Sequence, residues 1–151
     1  MIELIGLLLP AQLELINVVA KTGFTIHEDA GLCQSSVIVF GWTDANKNVG
    51  FCPNNLREYA KQKNYPESYI KNSMNTAVVH EAVHVAQMCN NRKPVLLSPV
   101  KMSELSKTQI RSVINSMIVT RNLASAALEA EAYYLEKSPT LTAFLVKKYC
   151  L

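Results

Sequence analysis

The chain has 151 residues, of which 49% are hydrophobic and 18% charged, with a formal net charge of +3, so it supports one substantial core but not two. The pairs Arg92-Lys93 and Lys147-Lys148 are the densest basic spots, too small for a nucleic-acid footprint. The apolar start, Met1 to Leu9, carries Glu3, lacks a basic leader, and meets Pro10 well short of the roughly 20 residues that a membrane span needs, so it is expected to pack on the core of a single domain, 1–151.

In chain order, Leu13, Ile16, Val19 and Ala20 form a helical stripe within Pro10 to Thr22, and Gly23 is a suitable stop. The period then changes. Val37 to Trp42 and Val49 to Cys52 are β-branched and aromatic runs around the turn-forming segment Asp44 to Asn48, which predicts an antiparallel hairpin ending at Pro53. Asn54 or Asn55 can cap a short helix to about Gln62, and Pro66 suits the first turn of a long central helix reaching about Asn90. After a loop punctuated by Pro94 and Pro99, helices are expected over Ser103 to Thr120, Leu123 to Lys137 and, behind Ser138-Pro139, Thr140 to Tyr149. The expected class is α+β, mainly helical, with a small sheet beside the central helix. Cys33, Cys52, Cys89 and Cys150 are widely spaced with no CxxC pair. They read as free, buried thiols, and with no signal peptide in view the expected compartment is the cytoplasm.

The central helix contains His80-Glu81-Ala82-Val83-His84, the HExxH pattern. Residues four apart share a helical face, so both imidazoles can reach one ion. The flanking Val78, Val79, Val85 and Ala86 make the helix apolar nearly all round, and a charged Glu81 there is costly unless used. Catalytic zinc takes three protein ligands and leaves a position for water. A third histidine of the metzincin kind is excluded, because Gln87 and Asn90 stand at the required positions. An aspartate downstream is excluded too, since Asp29 and Asp44 both lie upstream. A glutamate among Glu104, Glu129, Glu131 and Glu136 remains. Glu104 is accounted for by the start of its helix. Glu129 and Glu131 lie in a small-residue helix suited to close packing, and only one of them can face the ion.

The HExxH motif followed downstream by Glu129-Ala130-Glu131-Ala132-Tyr133 resembles the small gluzincin-type zinc metallopeptidases, whose later helix reads ExxA(D/N). The resemblance implies a zincin-like fold, a zinc ion held by His80, His84 and Glu129, and Glu81 as the general base of peptide hydrolysis. It also implies a strand edge beside the zinc that receives an extended peptide or protein substrate. Tyr133 stands where the family has an acid or amide that accepts a proton from a ligand imidazole, and Gln87 shares a face with His84, which leaves it open as a second outer partner, a substrate contact or an ordinary solvent-facing glutamine. Tyr133, Tyr134, Tyr69 and His27 are the available donors to a developing oxyanion. The competing expectation is a zinc-binding interaction or regulatory protein on the same scaffold, without turnover. A helical core protein without metal is the third.

Overall fold

The computed structural model describes residues 2–151; Met1, part of the apolar start, lies outside the described residues. Among the described residues seven α-helices and three strands follow one another as α1 (Ile2–Leu7), α2 (Pro10–Ala20), β1 (Thr25–Glu28), β2 (Gly41–Thr43), β3 (Asn48–Phe51), α3 (Pro53–Lys63), α4 (Glu67–Cys89), α5 (Lys107–Thr120), α6 (Leu123–Leu135) and α7 (Pro139–Cys150). The protein is a mainly helical α+β structure with one small mixed sheet.

Helix α4 is the axis. It packs against α7, α6, α2 and α3 and against strands β2 and β3. Val78, Val79, Val83, Val85 and Ala86 are fully buried. Valine is a mediocre helix former because its χ1 is restricted, so burial on several sides rather than intrinsic propensity holds this helix. Each buried valine contributes roughly 1.5–3 kcal/mol. Leu4 and Leu7 join the same core, as expected of the apolar start. Among the described residues no helix is long and apolar enough to cross a membrane.

The sheet has the order β1-β3-β2, which leaves β2 at one edge. β2 and β3 form the expected antiparallel pair, with Trp42 opposite Gly50, around a turn held by Asp44. The first arm is shorter than expected: residues 37–40 are irregular, and Ile38 is exposed. β1 escaped the periodicity because Thr-Ile-His-Glu carries one apolar residue, and its place comes from a parallel ladder to β3. The segment between β1 and β2 folds over Trp42, whose Nε1 donates to the Ala30 carbonyl at 3.1 Å. Gly31 has φ of 59°, and a Cβ there would lie 2.5 Å from the Trp42 ring.

Local chemistry sets the helix ends. Pro53 and Pro139 occupy first-turn positions. Asn55 is not a cap; its amide donates to the carbonyls of Cys33, Ser36 and Val39 and holds the irregular segment. The helix expected from Ser103 begins at Lys107, capped by Ser106, because Met102–Glu104 forms a separate 3-10 turn.

The free-thiol expectation is corrected. Cys33 pairs with Cys52, and Cys89 with Cys150, across Cα separations of 5.5 and 5.2 Å. The absence of CxxC tests only local pairing, whereas the sheet and the α4–α7 contact bring distant cysteines together. The ground for a reducing cytosol goes with the free thiols.

Candidate metal centre

His80, Glu81 and His84 project from α4, and Glu129 faces them from α6. The alanines of α6 permit this approach: Ala130 and Ala132 are buried, and the two helices pack directly. The three ligand-type side chains His80, His84 and Glu129 converge as the sequence and the resemblance together anticipated. Nε2 of His80 lies 3.3 Å from Glu129 Oε2, Nε2 of His84 lies 3.1 Å from Glu129 Oε1, and the two Nε2 atoms are 3.3 Å apart. An ion about 2.0–2.1 Å from each of three tetrahedral ligands sets those ligands about 3.3–3.4 Å apart. The two Nε2 atoms already stand at about that spacing, and the Glu129 carboxylate turns one oxygen toward each of them, so the group could close on one ion.

The outer partners decide which ring nitrogen is free. Gln87 is 2% exposed, and its Nε2 donates to the Leu128 carbonyl and to Glu131 Oε1, both at 3.0 Å. Both partners only accept, so Gln87 Oε1 is left as the acceptor for His84 Nδ1 at 2.8 Å. Nδ1 of His80 faces Glu136 Oε2 at 3.4 Å, and a carboxylate only accepts. Both rings thus carry a proton on Nδ1 and turn Nε2 inward.

Electrostatics favour a cation here. Burial opposes charge on His80, but hydrogen bonds to Glu129 and Glu136 and the nearby Glu81 outweigh it, so the metal-free imidazole is pushed up to about 10. His84 moves up as well, because its bond to Glu129 outweighs burial and the neighbouring His80. For Glu129 burial is again the opposing effect, and the two imidazoles hold its carboxyl well below the ordinary carboxylate range. Without a metal, a proton supplies the positive charge among these carboxylates.

Glu81 sits beside this cluster on the β2 side. Thr43 Oγ1 donates to its Oε2 at 2.8 Å, and a Cβ on Gly41 would lie 2.7 Å from its Cγ. Two clefts open on either side, about 470 Å³ toward Arg92 and Leu128 and about 690 Å³ toward Phe40 and Tyr69. Both reach Gly41, His80, Glu81 and Tyr133.

The remaining candidates separate cleanly. Glu131 is buried and accepts from the backbone N–H groups of Val95 and Leu96 at 2.8 and 2.9 Å, so it anchors the loop after α4 rather than an ion. Glu104 closes its own turn by accepting from Lys101 N–H. Tyr133 lays its ring against His80, with centroids 4.5 Å apart. Burial and the charges of Glu129, Glu136 and Glu81 push its phenol up against the bond to Ser112, so it is a neutral donor. His27 stacks on Trp42 and bonds Asn48, Tyr134 lies by Leu97, and Tyr69 lines the larger cleft. Thr43 was missed, and Glu136, named in the sequence only as a possible ligand, was not read as the partner of His80 Nδ1. Glu136 is seven residues past Glu129, on the same helical face, which was a usable signal; Thr43 offered none, because it meets Glu81 only through the fold.

A family model described as a domain of unknown function (DUF8637) matches residues 4–151. No curated protein and no solved structure matches the chain.

Proposed function

The chain belongs to the DUF8637 family of unknown function, and we propose that it is a zinc-dependent metallopeptidase of gluzincin type on a zincin-like scaffold. The observation that carries this reading is the convergence of His80 Nε2, His84 Nε2 and the Glu129 carboxylate, with Glu81 and two clefts beside it. Two imidazoles and one carboxylate are a donor set of catalytic zinc and a poor one for magnesium or calcium, which take oxygen ligands. When bound, zinc supplies Lewis acidity that acidifies a water in its open position and polarises the scissile carbonyl.

His80, His84 and Glu129 would hold the ion, with Gln87 fixing the His84 ring. The Glu81 carboxylate, oriented by Thr43, takes a proton from the attacking water as the water oxygen bonds to the carbonyl carbon. As the C–N bond breaks, Glu81 passes that proton to the leaving amine. Tyr133 is the candidate oxyanion donor that lines both clefts. The edge strand β2 beside Glu81 suits strand addition by an extended peptide, and the lack of a Cβ at Gly41 leaves room for the Glu81 side chain. The open clefts, and a group of three rather than four ligands among the described residues, favour turnover over a purely regulatory zinc site. The two disulfides favour an oxidising compartment over the cytoplasm.

The test is cleavage of a mixed peptide library by zinc-loaded protein, compared with Glu81→Gln. The expected result is cleavage by the parent and, in the variant, full zinc content with cleavage lost. Equal cleavage by both proteins would refute the mechanism.

A further inference from the structure

We propose that Glu136 is the positioning residue for His80, doing one helical turn later what the gluzincin pattern assigns to position 133; this rests on the metal-centre reading above. Positions four and seven after Glu129 share its helical face, so an acid at either one can follow the ligand toward α4. Here Tyr133 occupies the nearer position and packs its ring against His80 at an interplanar angle of 63°. Glu136 lies at the edge of the same ring, with Oε2 3.4 Å from Nδ1.

Glu136 is held for this task. Its side chain is 11% exposed, and its Oε1 accepts from Gln109 Nε2 at 2.9 Å. The Gln109 amide is itself fixed, because its Oε1 accepts from Ser106 N–H at 2.9 Å in the capping box of α5. The adjacent Lys137 is turned away, donating to Thr76 Oγ1 at 3.1 Å. A buried carboxylate with one neutral amide donor is under-satisfied, and the His80 Nδ1–H supplies what it lacks. The two ligand histidines are therefore unequal: a carboxylate makes His80 the more basic donor, whereas His84 has only the neutral amide of Gln87.

The experiment is Zn²⁺ affinity by chelator competition for the parent, Glu136→Ala and Glu136→Gln, with NMR of the imidazole Nδ1–H protons in the zinc-loaded proteins. The expected result is a loss of about 10- to 100-fold in Glu136→Ala and a smaller loss in Glu136→Gln. The His80 Nδ1–H resonance should move upfield or vanish by exchange, while that of His84 stays. If Glu136→Ala does not fold, Glu136→Gln decides by the same two readouts. Affinities within twofold of the parent and an unmoved His80 resonance would overturn the proposal. A parent that takes up no zinc would instead remove the metal centre, and this inference with it.

Discussion

Replacing Gln87 separates the two tasks that its buried amide performs. In Gln87→Met the chain keeps its length but loses both polar ends. The His84 Nδ1–H then has no acceptor, and Glu131 loses one of three donors while keeping the N–H groups of Val95 and Leu96. Leaving a buried donor unmet costs about 1–3 kcal/mol, and a hydrogen bond to a charged group contributes about 1.5–3 kcal/mol. Together the folded state should lose about 2.5–6 kcal/mol, a fall in Tm of roughly 5–24 °C for a chain of this size. With no acceptor on Nδ1, His84 can move its proton to Nε2, so zinc affinity should also fall about 10- to 100-fold. Gln87→Glu retains an acceptor for Nδ1–H but faces Glu131 with a second carboxylate. It should lose stability while keeping zinc affinity within a few-fold. Thermal unfolding by circular dichroism and chelator competition read the two quantities separately. If Gln87→Met binds zinc as the parent does, Gln87 does not orient His84 and the reasoning fails.

Three other outcomes are expected. The metal-free His80, raised from 6.5 to about 10, contributes stability that is fully present below pH 6.5 and lost as pH rises through about 10; Glu129, lowered from 4.5, contributes stability present above pH 4.5 and lost as pH falls toward its depressed value. Zinc must displace the His80 proton, so chelator competition should show affinity rising up to about tenfold per pH unit for each proton released between pH 6.5 and 9, and a flat profile would contradict the proton's place in the site. Gly41→Ala drives a methyl toward Glu81 Cγ and should cut cleavage by about 100-fold with zinc content unchanged, whereas normal turnover would show that Glu81 has room to spare. Removing the Cys89–Cys150 bridge, which closes a separation of 61 residues, should cost about 4 kcal/mol in urea unfolding, against about 3 kcal/mol for Cys33–Cys52 with its separation of 19. Equal midpoints with and without dithiothreitol would argue that neither bridge constrains the chain.

What was legible in the sequence is what depends on neighbours along the chain. The four-residue spacing of His80 and His84 states their shared face, and the elimination of later histidines and aspartates left a glutamate. The first-turn proline Pro139, the hairpin end at Pro53 and the turn at Asp44 placed elements to within a few residues, although neither Asn54 nor Asn55 is the cap of α3 and Ser138 makes no side-chain cap hydrogen bond. What depends on folding was not legible. β1 exists through its ladder to β3, Thr43 reaches Glu81 only because β2 packs on α4, and both disulfides join segments that only the fold brings together. Glu131 and Glu129 look equivalent in sequence, and their tasks diverge because two backbone N–H groups of the loop at Val95 claim Glu131.

The measurement closest to the central claim is a crystal structure of the zinc-loaded protein with anomalous scattering recorded at the zinc edge. The account predicts one ion bound by Nε2 of His80, Nε2 of His84 and a Glu129 oxygen at about 2.0–2.2 Å, with an open position facing Glu81. Zinc bound elsewhere, held through Nδ1, or closed off by a fourth protein ligand would contradict it.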